Sequence, residues 1–115
     1  MDNIIELECM HFWSDWTDIK KIEVDLSKYV FFSIEWRGEN SWHIRGHYCD
    51  KNHDWHIDEI SDHEVHGIHE VAKFINNANE YGKNHHQQCK VSRFNNLHYS
   101  GSFYSELKEL FALLN

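Results

Sequence analysis

The ten residues SDHEVHGIHE, Ser61 to Glu70, hold three histidines and three acids. Zinc accepts imidazole nitrogen and carboxylate oxygen, so these residue types suit a metal centre. On a helix, His63, His66 and Glu70 fall at i, i+3 and i+7, a common outward face. The spacing departs from the zinc-hydrolase signature HExxH: HEVH is one residue short, and HGIHE lacks the inner glutamate. Glu64 has a competing use, because Ser61 and Glu64 together read as a helix capping box. The segment is expected to be a solvated helix face, with zinc held by His63, His66 and Glu70 as the alternative.

A second set of chemistry-bearing residues alternates along three segments in the middle of the chain. Matching their apolar faces pairs Glu35 with His43, His47 with His56, and Arg45 with Asp58. Two histidines beside a cation could serve acid–base work on a phosphodiester. No phosphate-cradling glycine loop accompanies them. Opposite charges across a sheet also stabilise it with no chemistry at all, and that is the expectation.

A third set is acidic. Asp15, Asp18, Glu23 and Asp25 surround Trp13 and Trp16, with Lys20 and Lys21 between them. Bulky rings supply affinity at protein interfaces, and surrounding charge supplies association rate and selectivity. This set is the expected partner-binding surface. The opposite charge appears in GKNHHQQCKVSRF, Gly82 to Phe94, which has no acid. There Lys90 beside Cys89 could lower the thiol pKa.

The elements that must position these groups follow from periodicity. IIELECMHF (Ile4 to Phe12) and IEVDLS (Ile22 to Ser27) alternate apolar with polar and read as strands. YVFFSIEWR, WHIRGHYC and WHIDEI form a meander with one apolar face: Val30, Phe32, Ile34, Trp36, then Trp42, Ile44, Tyr48, then Trp55 and Ile57. A helix is expected from Ser61 to about residue 80, with Val65, Ile68, Val71, Ala72, Ile75 and Ala78 as its inward stripe and Gly82 as its stop. QQCKVSRF reads as a last strand. SFYSELKELFALLN reads as a second amphipathic helix, with Phe103, Leu107, Leu110, Phe111 and Leu114 inward. Together these make an α+β fold, an antiparallel sheet of four to five strands with two helices packed on one face, in a single domain over residues 1–115.

Composition narrows the function classes. The formal charge is −8, and residues 1–27 carry seven acids against two lysines. Direct nucleic-acid binding is disfavoured, because phosphate neutralisation needs clustered Lys and Arg. Eleven histidines add a surface whose charge can reverse on acidification. Cys9, Cys49 and Cys89 are odd in number and widely spaced, so no disulfide framework or zinc ribbon is expected. No signal peptide or membrane span is legible, so a cytoplasmic protein with reduced thiols is expected.

In size, charge and lack of catalytic motifs the chain is similar to immunity proteins, antitoxins and phage-borne inhibitors, without a sequence match to any. That similarity implies a non-enzymatic, cofactor-free inhibitor that occludes a basic partner such as a nuclease toxin. A histidine-rich metal-binding protein or metal-dependent hydrolase using zinc is the alternative.

Overall fold

The computed structural model describes residues 3–12, 17–38, 40–61, 65–83, 85, 88–93 and 100–115. Strands β1 (Ile4–Phe12) and β2 (Thr17–Asp25) pair antiparallel as a two-stranded ribbon. β2 starts earlier than alternation alone suggests, because β1 offers it a ladder along its whole length. Leu7, Cys9 and Val24 are buried, which leaves Glu6 and Glu23 directly opposite each other on the outer side. The ribbon ends in a 3-10 turn, Leu26–Lys28, capped by the Asp25 carboxylate, which accepts the Ser27 N–H at 3.0 Å.

Five further strands form the main sheet: β3 (Phe31–Gly38), β4 (Ser41–Cys49), β5 (Trp55–Glu59), β6 (Val65–His66) and β7 (Gln88–Arg93). Their order is β5-β4-β3-β7, and the short β6 pairs with β4 beyond β5. β3 and β4 adopt the expected register, with Trp36 opposite Trp42, Ile34 opposite Ile44 and Glu35 opposite His43. β7 runs parallel to β3, placing Cys89 and Val91 beside Phe32 and Ile34. The sheet is therefore mixed rather than wholly antiparallel. A helix precedes β7 and carries the chain back, as parallel neighbours require.

That helix, α1 (Ile68–Gly82), starts seven residues later than the Ser61 expectation. The sheet claims the intervening chain. Ser61 is buried; its Oγ accepts the Ile44 N–H at 2.9 Å, so it caps a strand edge and not a helix. Val65 and His66 then pair with Trp42 and Ser41. Gly67 makes the break at φ +96°, a conformation that L side chains rarely adopt, and its N–H bonds to the Asn40 carbonyl at 2.8 Å.

From there α1 buries Val71, Ala72, Phe74, Ile75 and Ala78 against the sheet. α2 (Ser100–Ala112) buries Phe103 and Leu110, with Leu107 and Leu114 half-buried beside them. Phe111 is 54% exposed, against expectation. Leu110 takes the inward position, and at 100° per residue its successor must turn away. Glu106 ties α2 to the end of β3: its carboxylate accepts the Trp36 indole N–H and the Asn40 N–H, both at 3.0 Å.

The chain is thus an α+β protein with both helices against one face of the main sheet. Phe32, Ile34, Trp36, Trp42 and Ile44 of that face join α1, α2 and the ribbon in one apolar cluster. Among the described residues no helix is long and apolar enough to cross a membrane.

Candidate functional site

The opposite face of the main sheet carries no helix among the described residues, and one loop decides what stands on it. Asp50 and Asp54 close a three-residue connection: the Asp50 N–H donates to the Asp54 carbonyl at 3.0 Å, and His53 sits at φ +65°. The Asp50 carboxylate accepts the N–H groups of Asn52 and Asp54 at 2.8 and 3.1 Å. A three-residue loop with a left-handed last residue sets the pairing odd. Trp55 therefore lies opposite Cys49, His56 opposite Tyr48, Ile57 opposite His47 and Glu59 opposite Arg45.

This is one residue off the register that apolar matching suggests, and it turns every β5 side chain over. Trp55 and Ile57, expected in the core, stand on the open face at 60% and 59% exposure. His47 and His56 are placed on opposite faces, so the histidine pair does not assemble. His56 instead stacks on Tyr48 with ring centres 5.1 Å apart and reaches Asp50 at 2.7 Å. Asp58 is taken by Lys28 at 2.7 Å and by the Tyr29 hydroxyl at 2.9 Å. The Lys28 ammonium holds the Asp58 carboxyl below the usual carboxylate range.

On the open face the aromatic centre is Phe31. His47 stacks on it at 4.1 Å, Trp55 tilts toward it at 6.2 Å, and the Lys90 ammonium lies 4.6 Å from its ring centre. Ser33 Oγ hydrogen-bonds His47 Nε2 diagonally across the strands. Serine and histidine are a nucleophile and a base by type. Here, however, the imidazole is stacked on Phe31 within the sheet face, and the contact acts as a cross-strand lock. Burial, and then the charges of Arg45 and Lys90, push the His47 pKa down, so the ring is neutral at neutral pH. Around this centre Arg45 bridges Glu59 at 2.6 Å and Glu35 at 3.3 Å. The arrangement is apolar in the middle and charged at its margin, the anatomy of a protein-contact surface.

The residues expected to bind a partner divide. Trp13, Asp15 and Trp16 lie outside the described residues. Asp18 and Glu23 are exposed on β2, and Asp25 is exposed while holding Ser27 and the Asn3 amide. Hydrogen bonds from Ser27 and Asn3 keep the Asp25 carboxyl low, so it stays charged. Tertiary packing adds what spacing does not display: an open cleft of about 330 Å³ brings Glu23 and Asp25 of β2 close to Asp58 and Glu59 of β5.

The expected metal set does not share a helix face. His63 lies outside the described residues, His66 belongs to β6, and Glu70 belongs to α1. The Glu70 carboxylate accepts the Glu8 N–H at 2.8 Å, tying β1 to α1, and lies 3.7 Å from the Lys73 ammonium. Among the described residues, no three or more His, Cys, Asp and Glu side chains are grouped to hold a metal ion. The Cys89 thiol moves opposite to expectation: burial against the core pushes its pKa up to about 12. Lys90 cannot lower it, because the next residue of a strand points to the other face.

Trp55 and Ile57 are the residues that sequence reasoning missed. Their signal was the DKNHD loop, whose first Asp and left-handed-tolerant His53 specify a three-residue turn and so the register. No family model matches the chain, and neither a curated protein nor a solved structure matches it.

Proposed function

We propose that the protein is a non-catalytic binding domain of the immunity or antitoxin kind, acting in the cytoplasm. It docks a basic protein partner, such as a nuclease toxin, on the open sheet face and blocks it by occlusion. Trp55, Ile57 and Phe31 are the anchors, and Arg45, Glu35 and Glu59 form the rim. The acidic ribbon, with Asp18, Glu23 and Asp25, speeds encounter at long range. The observation that carries this reading is the exposure of Trp55 and Ile57, 60% and 59%, beside Phe31 on a face that carries no helix among the described residues. Large exposed apolar patches with polar margins mark interaction surfaces.

The test starts with capture of partners from the native cell and identification of those that are basic. Association of a captured partner is then measured with the wild type, Trp55→Ala and Asp18→Lys/Glu23→Lys. Truncating a central aromatic anchor should weaken binding by roughly 30-fold or more. The double charge reversal should slow association chiefly at low salt. Equal affinity for the wild type and Trp55→Ala would remove the sheet face from the proposal.

A further inference from the structure

We infer that the protein forms a two-fold homodimer by antiparallel pairing of β5 with β5 of a second copy, joining two main sheets edge to edge. This inference does not depend on the docking proposal.

The backbone supplies the first argument. The Asp50–Asp54 and Ile44–Ile60 bonds show that the hydrogen-bonded pairs between β4 and β5 are 50/54, 48/56, 46/58 and 44/60. Alternation then turns the N–H and C=O groups of Trp55, Ile57 and Glu59 away from β4. β5 ends the strand order, so among the described residues no strand pairs with these groups. A row of unpaired donors and acceptors is a template for another strand.

The side chains supply the second argument, and they select a copy of the same chain. In WHIDE paired antiparallel with itself about Ile57, Ile57 meets Ile57, Trp55 meets Glu59, and His56 meets Asp58. The two-fold axis at Ile57 demands a hydrogen-bonded pair there, and the outward direction of the Ile57 backbone meets that demand. His56 and Asp58 then form the non-hydrogen-bonded pairs, the type with the closer side chains. Polar groups on the covered side of an edge strand normally deter pairing, because a foreign strand leaves them without partners. Here both groups already have partners in their own chain, His56 in Asp50 and Asp58 in Lys28 and Tyr29, so pairing leaves neither without one. The self-paired register also sets imidazole opposite carboxylate, not like charges together. The opposite edge differs: β7 carries the exposed Lys90, a cation of the kind that blunts edge pairing. Side chains opposite each other project to the same face, so the dimer unites two Trp55–Ile57 patches into one apolar ridge on the open side.

The experiment is sedimentation equilibrium of the full chain with hydrogen exchange over a concentration series. The wild type should form a dimer, and the amides of Trp55, Ile57 and Glu59 should slow together as it forms. Ile57→Lys sets two cations against each other at the axis and should raise the dimer dissociation constant by roughly 100-fold. Ile57→Pro removes only an outward N–H, so it should give a folded monomer by circular dichroism. Ile19→Lys, at an equally exposed apolar position on β2, should leave the dimer intact. A monomeric wild type at all concentrations would overturn the inference. So would a dimer that survives both Ile57 substitutions, one that Ile19→Lys dissolves, or one in which those three amides stay fast.

Discussion

The two faces of the main sheet are built from similar residue types and end in opposite environments. On the covered face, Phe32, Ile34, Trp42 and Ile44 are fully buried beneath α1 and α2. On the open face, Phe31 is half-buried, while Trp55 and Ile57 are mostly exposed. Aromatic and β-branched residues suit any pleated surface, so they mark a strand without stating which side meets a helix. The difference lies in what stands opposite. The covered face meets the α1 stripe and Phe103, whereas the open face meets its own margin of Arg45, Glu35, Glu59 and Lys90.

The comparison breaks most visibly at its two tryptophans. Trp42→Ala on the covered face should cost about 3–5 kcal/mol in urea unfolding, through lost burial and a cavity. Trp55→Ala on the open face should stay within about 0.5 kcal/mol at a concentration low enough to limit self-association. Equal costs would show that Trp55 is part of the fold and would end its role as a contact anchor.

A smaller effect is expected at Gly46, on the covered side of β4. A methyl group there would collide with the Tyr29 ring and approach Ile60 Cδ1 to 2.8 Å. Gly46→Ala should therefore destabilise by about 1–3 kcal/mol, since Tyr29 is also held by its bond to Asp58 and cannot simply move aside. Full stability in this variant would show that the ring closing the covered face is free to shift.

The smallest effect is a pH dependence on the open face. The folded His47 pKa lies below its ordinary value of 6.5, through burial and then Arg45 and Lys90. On acidification the unfolded chain takes up this proton first. The contribution of the group is therefore intact above 6.5 and is lost as pH falls from there to the folded pKa. Unfolding free energies between pH 7.5 and 5, a range chosen around that value, should fall less steeply in His47→Phe than in the wild type. An unchanged slope would mean that His47 is freely hydrated and that its stack on Phe31 is loose.

Much of the architecture was legible in advance, and the reasons are local. The β3–β4 register follows from two matching apolar rows, and the α1 stripe follows from helical spacing. What failed did so where two local signals competed. Ser61 and Glu64 resemble a helix cap, yet the Ile44 N–H needs an acceptor and Ser61 supplies it. Tyr48 and Trp55 invite apolar pairing, yet the hydrogen bonds of the Asp50–Asp54 turn set the register one residue away. Of the candidate site, Asp18, Glu23 and Asp25 were legible as exposed acids. Trp55 and Ile57 were not, because an apolar residue on an alternating strand is read as buried unless the turn before it is counted.

By itself the sequence determines the longer strands, the presence of two amphipathic helices, the acidic excess of the first 27 residues and the class to which these add up. Such properties depend on nearest neighbours and on periodicity along one chain. Only the tertiary structure decides which face of β5 meets solvent, which edge of the sheet stays open, and which carboxylates gather around the cleft. Those outcomes turn on a single-residue register and on contacts between segments far apart in the chain, where a shift of one position inverts every side chain at once.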